Sequence, residues 1–254
     1  MKKQQYNESD LYPPIKKYFS ELGYGVNGEV KNCDVVLAKD GELAIIELKT
    51  SFNMPLLYQA IDRMKITSQV YVAIPRLKKH NGAQMRNIAH IAKKLGLGLI
   101  TVAMDSEFRH VEIIAFPDGS SGASGSSGSS ASSGEKKLSG KNARRRASII
   151  KEASQRSMDL NRGGISRRKL ATAYREKAIK IACALEKNGA MKPSEMIRSC
   201  NCDADAQSIV YKNHYGWFEK LGKGNYRLAG EGKKMLDGAL FAEIIEHYRK
   251  TFNP

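Results

Sequence analysis

The sequence predicts an α/β domain with a mixed sheet, followed by a linker and a smaller α+β domain. Three observations carry this prediction. Along residues 1–117, apolar residues recur alternately at helical and at strand spacing. Asp40-Gly41 separates two runs rich in β-branched residues, the pattern of a two-residue hairpin turn. Residues 118–134 are almost entirely Gly, Ser and Ala, which is typical of a flexible tether between domains.

The first predicted element is a helix over residues 12–22, in which Ile15, Phe19 and Leu22 share one face and Gly23 follows the end. The same patterns predict the remaining elements of this domain. They are strands over 30–38, 43–48, 69–74, 98–103 and 111–116, and helices over 54–64 and 82–95. Helices alternating with strands in this order indicate a mixed sheet flanked by helices.

The predicted hairpin places two carboxylates opposite each other. With Asp40-Gly41 as the loop, the numbers of paired residues sum to 81, so Asp34 faces Glu47 with Cβ atoms roughly 4.5–5.5 Å apart. Lys49 follows Glu47 by two residues and is therefore expected on the same face. The other side chains of both strands are mainly apolar on both faces, as expected for strands in the interior of a sheet.

A buried, opposed carboxylate pair is costly, because like charges repel and burial removes their water. Either one carboxyl stays protonated or a cation lies between them. Mg²⁺ or Mn²⁺ prefers such oxygen ligands, and Lys49 could then offset charge on a transferring phosphate. The alternative is that both acids are solvated at strand ends, with Lys49 as an ion-pair partner. The position of Glu47 inside AIIELK favours the functional interpretation.

Asp34 followed thirteen residues later by Glu47-Leu48-Lys49 resembles the PD-(D/E)XK nuclease superfamily. The longer pattern ESDLYPPIKKYF, GEVKNCDVVLA, AIIELKTSFN, LLYQAIDR and QVYVAIP resembles its bacterial DUF2161 branch over about residues 6–117. The resemblance implies a restriction-endonuclease-like fold. It also implies that Asp34 and Glu47 bind Mg²⁺ while Lys49 assists attack of water on a phosphodiester. Cys33 stands before Asp34 where the superfamily often has proline.

Two further positions are candidates through the same resemblance. Glu8 matches an acidic residue that many members place near the first helix as an extra ligand on the metal side. Gln59 lies on the helix after the motif, where related nucleases often have a glutamine that faces the active site. An ordinary first-turn acid and an exposed polar side chain are equally good interpretations of these two residues.

The C-terminal part has the order of elements of a winged helix. The first predicted helix covers 175–187, a short second helix starts at 193, and a third helix ends at about 213. Two short strands around a Gly/Lys/Asn turn follow, and then a final helix over 232–252. The motifs TAYREKA, YGWFEKL and GNYRL also resemble the C-terminal region of the same family. In winged helices the third helix enters the major groove and the wing contacts the backbone. The predicted DNA contacts are therefore Gln207, Lys212, Asn213 and His214 on or after the third helix, and Lys223 and Arg227 on the wing. The alternative is a winged helix that binds protein or forms a dimer, and the net positive charge favours DNA.

The positive charge is concentrated in the second half of the chain. Of 42 basic and 26 acidic residues, residues 1–117 contain 16 and 12, whereas residues 135–180 contain 15 and 4. We expect a basic arm over 135–174, joined to the C-terminal domain at 175–254. Its densest runs are Arg144-Arg145-Arg146 and Arg167-Arg168-Lys169, which we interpret as phosphate contacts rather than a merely solvated segment.

Composition excludes several other classes of protein. No apolar run approaches the roughly 18 residues of a membrane span, and the first residues lack the apolar stretch of a secretory signal. Four irregularly spaced cysteines do not indicate a disulfide framework or a zinc ribbon, so a reducing cytoplasm is expected.

The leading hypothesis is a Mg²⁺-dependent DNA endonuclease with a tethered basic DNA-binding module. The alternatives are a non-catalytic DNA-binding regulator that retains the nuclease fold, and an enzyme that acts on RNA. A homodimer is plausible, because cleavage of both strands needs two active sites.

Overall fold

The computed structural model describes residues 6–77, 82–104, 109–118, 139–156 and 172–252. The chain divides into two compact units. Of the described residues, the first unit contains 6–155, and the second contains 156 and 172–252. Most of the predicted linker and the run Arg167-Arg168-Lys169 lie outside the described residues.

The first unit is built on a six-stranded mixed sheet in which neighbouring strands are also consecutive in the chain. The strands are β1 (Gly25–Val30), β2 (Cys33–Lys39), β3 (Glu42–Leu48), β4 (Val70–Pro75), β5 (Gly98–Val102) and β6 (Val111–Ala115). Strands β1, β2 and β3 are antiparallel, β3, β4 and β5 are parallel, and β6 is antiparallel to β5. Strand β3 is therefore central, at the point where the antiparallel hairpin joins the parallel part.

Helices cover both faces of this sheet. Helix α1 (Tyr12–Glu21), preceded by the short 3-10 helix Glu8–Asp10, packs on one face. The opposite face is covered by α2 (Met54–Arg63), α3 (Gly82–Lys94) and α4 (Gly140–Ser154). The predicted α/β class, a mixed sheet flanked by helices, is confirmed.

The hairpin between β2 and β3 has the predicted turn and register. Asp40 and Gly41 both have positive φ, 50° and 80°, as a type I′ turn requires. The observed pairs include Val36 with Ile45 and Lys39 with Glu42, each summing to 81.

The structure differs from the prediction at the start of this hairpin. The predicted strand over 30–38 is interrupted, because Val30 ends β1 and pairs with Cys33 across the two-residue turn Lys31-Asn32. Both turn residues have positive φ, 51° and 67°. Lysine is uncommon in this conformation, so the residues of this turn carry little turn signal.

Helix α4 lies in the segment that composition predicts as a basic arm rather than as a helix. In the structure it packs on β1 and β2 within the first unit. Ile149 and Ala153 are buried there in one cluster with Val36 and Ile45. These 15 residues therefore complete the cover of the sheet.

The second unit has the predicted order of three helices, two strands and further helical segments. They are α5 (Ala173–Asn188), α6 (Pro193–Ser199), α7 (Ala206–Lys212), β7 (Phe218–Lys220), β8 (Tyr226–Leu228), α8 (Gly230–Leu236) and α9 (Ala242–Phe252). The single final helix predicted over 232–252 is wrong. It is interrupted after α8, and Gly238 leads into the 3-10 helix Ala239–Phe241. The winged-helix assignment itself stays a prediction.

Among the described residues, no helix combines the length and the apolar character needed to cross a membrane.

We predict that Ile149→Ala lowers the free energy of unfolding of the first unit by about 2–4 kcal/mol. The side chain is fully buried against the sheet, so its truncation leaves a cavity. Urea unfolding, followed by a probe in the first unit, measures the change. Ser148→Ala, the exposed neighbour on the same helix, should change stability by less than about 0.5 kcal/mol. Equal stability of both variants would show that α4 is not part of this core.

Candidate active site

Asp34 and Glu47 meet at the end of the hairpin, as the register predicts. Asp34 opens β2 and Glu47 nearly ends β3. The Asp34 Oδ2 atom accepts a hydrogen bond of 2.8 Å from the backbone N–H of Leu48. The two carboxyl groups are close enough that each affects the pKa of the other. The arrangement is rigid, because β3 is held between β2 and β4.

Burial sets the electrostatics of this pair. Glu47 is completely buried and Asp34 is partly buried. Burial raises the pKa of Asp34 above its ordinary value, although the Leu48 N–H partly opposes this. Burial and then the charge of Asp34 raise the pKa of Glu47 to about 8. The pair therefore holds a proton more strongly than two solvated carboxyls would.

Arg63 on helix α2 contacts Glu47 directly, and it is not among the residues predicted from the sequence. Its Nε donates to Glu47 Oε1 at 2.6 Å, and the arginine is 6 % exposed. A signal was available, because Leu56, Ala60 and Arg63 recur at helical spacing on the buried face of α2. An arginine on an apolar helix face indicates a buried anionic partner.

Lys49 and Glu8 form an ion pair beside the carboxylates. Lys49 Nζ donates to Glu8 Oε2 at 2.7 Å, and the two side chains are 19 % and 30 % exposed. Glu8 lies in the 3-10 helix before α1, far from Lys49 in sequence. Two residues that the sequence placed at the site separately are therefore in contact.

Gln59 lies one helical turn before Arg63 on α2. Its side-chain oxygen is buried and receives no hydrogen bond within the described part of the chain, and the same is true of Glu47 Oε2. Such orphaned acceptors are costly, which indicates a missing donor or cation.

The donor set fits a hard divalent cation. Two carboxylates whose ionisation is opposed by burial, one with an orphaned oxygen, are typical ligands for Mg²⁺ or Mn²⁺, which retain several waters. Among the described residues no group of three or more His, Cys, Asp or Glu side chains is placed to hold a metal. The fit therefore rests on the two acids and not on a larger carboxylate cage.

The first arginine run divides by role on helix α4. Arg145 forms an ion pair of 2.9 Å with Asp62, and the Arg146 side chain lies 3.5 Å from the carbonyl oxygen of Ile66. Of the three, Arg144 alone is exposed, whereas Arg145 and Arg146 are half-buried.

The predicted contacts of the second unit also differ among themselves. Lys212 and His214 are exposed, and Lys223 lies exposed in the turn between β7 and β8. The side chain of Asn213 instead donates to the Phe218 carbonyl and accepts from its N–H, so it is engaged in holding the following strand.

Arg227 is the last predicted contact of the second unit. It pairs in fork geometry with Glu219 across the two strands, with distances of 2.9 Å. Gln207 is exposed on α7.

The model of a protein family matches the chain. This model, described as "Putative PD-(D/E)XK phosphodiesterase (DUF2161)", covers residues 100–235, slightly more than half of the sequence. The match starts within β5 and continues through α4 into the second unit, so Asp34, Glu47 and Lys49 precede it. No curated protein and no solved structure matches. The sheet and its helices form a restriction-endonuclease-like fold, and the chain belongs to the DUF2161 family.

Proposed function

We propose that this protein is a divalent-cation-dependent nuclease that hydrolyses phosphodiester bonds in DNA. One observation carries the proposal. Glu47 on the central strand β3 is completely buried next to the Asp34 carboxylate, and the Oε2 atom of Glu47 receives no hydrogen bond from the described residues. Such a pair is expensive to maintain without a proton or a cation. The description of the matching family as a phosphodiesterase supports a role for such a cation in phosphodiester hydrolysis.

Asp34 and Glu47 would hold Mg²⁺ or Mn²⁺. When bound, the ion supplies Lewis-acid stabilisation of charge that develops on the phosphodiester. Lys49 is a partly exposed ammonium beside these acids, so it can donate to a phosphate oxygen. Glu8 fixes the Lys49 side chain through the 2.7 Å hydrogen bond. The unpaired amide oxygen of Gln59 can accept a hydrogen bond from a water molecule and so orient it.

The exposed face of helix α4 is a candidate surface for the nucleic acid backbone. Lys141, Arg144, Ser148 and Lys151 are all exposed and are spaced three, four and three residues apart, so they form one stripe. The single acid of the helix, Glu152, is half-buried. A row of cations and a hydroxyl suits contacts to successive phosphates.

The second unit supplies a second candidate surface. Lys212 and His214 near α7, with Lys223 in the turn between the strands, are exposed and cationic or polar. These positions correspond to the groove-contacting helix and the wing in a winged helix. We propose that this unit provides affinity for DNA, and that the first unit performs the hydrolysis.

Two alternatives use the same observations. An RNA substrate offers the same phosphates, and a regulator could retain the fold without activity. The intact Asp34, Glu47 and Lys49 favour an active enzyme, since an inactive site would gain nothing from opposed carboxylates.

We also propose a reducing cytoplasm as the location of the protein, because its four cysteines are buried free thiols. A homodimer would supply the two active sites that cleavage of both strands needs.

We predict that the purified protein nicks DNA in the presence of Mg²⁺ and that EDTA stops the reaction. Glu47→Ala and Lys49→Ala should each lower the cleavage rate at least about 100-fold, because each removes charge stabilisation at the scissile phosphate. A gel assay with DNA and RNA, with and without Mg²⁺, measures both substrate class and cation requirement.

Glu42→Gln is the matched control for this assay, since it alters an exposed acid at the other end of the same strand. It should cleave like the wild type. Wild-type rates for Glu47→Ala or Lys49→Ala would contradict the assigned roles. Binding without cleavage by the wild type would favour the regulator.

We predict that replacing Lys141, Arg144 and Lys151 together by alanine weakens DNA binding and lowers the salt dependence of the dissociation constant. The slope of log Kd against log salt should fall by up to about one for each lost phosphate contact. Fluorescence anisotropy over a salt series measures this slope.

The matched control removes three cations from the exposed side of another helix of the same unit: Arg86, Lys93 and Lys94 on α3. An equal loss of slope in both triple variants would mean that only net charge matters, and that α4 is not a specific surface. Lys212→Ala with Lys223→Ala should also reduce the slope if the second unit binds DNA.

A further inference from the structure

The two oxygens of Glu47 have different surroundings. Oε1 accepts the 2.6 Å hydrogen bond from Arg63 Nε, and the two side chains are 0 % and 7 % exposed. Oε2 is buried and receives no hydrogen bond from the described residues. Glu47 thus has one oxygen that is occupied by the protein and one that is available.

Arg63 cannot easily leave this position, because its whole guanidinium group is engaged. Besides Glu47, it donates to the backbone carbonyl of Asn32 and to Asp62, at 3.2 Å for the latter. Asp62 is itself bound by Arg145 of α4 at 2.9 Å and by Lys65 at 3.1 Å. The hydrogen bond from Arg145 lowers the pKa of Asp62, so this carboxylate remains a charged anchor.

We propose that Arg63 is a positioning residue of the cation site. It reserves Oε1 of Glu47, so that the glutamate presents only Oε2 to a divalent cation. This inference rests on the proposed function, because it assumes that Asp34 and Glu47 bind the cation. It assigns to Arg63 a role that a residue packed only for stability would not have.

Charge gives the proposal a distinctive consequence. The chain's own arginine neutralises part of the negative charge of the pair, so a divalent cation meets a site with less net attraction. Arg63 therefore stabilises the protein without metal and at the same time limits metal affinity. A residue that only supported the fold would, when removed, weaken cation binding along with stability.

The test measures Mn²⁺ binding to the full chain, from the free-ion signal in electron paramagnetic resonance. We expect Arg63→Met to bind Mn²⁺ at least about threefold more tightly than the wild type, since a nearby like charge is removed. Turnover at saturating Mn²⁺ should fall at least about tenfold, since Glu47 is no longer held in place.

Arg145→Met is the matched control. It removes an arginine from the same network, one that contacts Asp62 but that has no hydrogen bond to Glu47 among the described contacts. Its Mn²⁺ affinity should stay within about twofold of the wild type. Unchanged or weaker Mn²⁺ binding by folded Arg63→Met would overturn the proposal.

Arg63→Lys keeps the test decisive if the methionine variant does not fold. Lysine retains the charge but lacks the guanidinium fork that holds Glu47, Asn32 and Asp62 together. We expect wild-type Mn²⁺ affinity with reduced turnover at saturating Mn²⁺, and wild-type turnover would refute the positioning role. Failure of the wild type to bind Mn²⁺ is a different result, which overturns the proposed function itself.

Discussion

The constraint on which the rest of the site depends is the placement of two carboxylates opposite each other inside a sheet. The Asp40-Gly41 turn fixes the register, and the register leaves Asp34 and Glu47 no other position. A shift by one residue would bury the wrong face of both strands. The fold therefore retains a locally unfavourable pair, and the neighbouring residues limit its cost.

The surroundings of this pair unite parts of the chain that are distant in sequence. Arg63 connects Glu47 to Asp62, and Asp62 connects to Arg145 on helix α4. A helix that composition alone assigned to a basic arm is thus fixed to the unit that carries the candidate site. Counting the charge of the first unit only up to the Gly/Ser segment therefore leaves out part of its basic surface, because the basic residues of α4 belong to the first unit.

The parts of the fold that were predictable had local signals. Asp-Gly specifies a type I′ turn, and counting from it gave the register and the carboxylate pair. The turn at Lys31-Asn32 lacked such a signal, so β1 was missed. The spacing of Leu56, Ala60 and Arg63 indicates a buried anionic partner but does not identify it, because Glu47 lies sixteen residues away on a strand. The many basic residues of helix α4 indicate a solvated arm rather than a packed helix, although Ile149 and Ala153 form its buried face.

The most direct test of the account compares stability with pH and cation for the wild type and Glu47→Gln. Because the folded-state pKa of Glu47 is raised to about 8, the metal-free native state keeps a proton that the unfolded state has released. Metal-free wild type should therefore lose stability from pH 5 to pH 8, and lose more than Glu47→Gln does. At pH 8, Mn²⁺ should restore stability to the wild type but not to Glu47→Gln. Parallel pH profiles for the two proteins, or equal stabilisation of both by Mn²⁺, would contradict the claim that this carboxylate pair is a cation site.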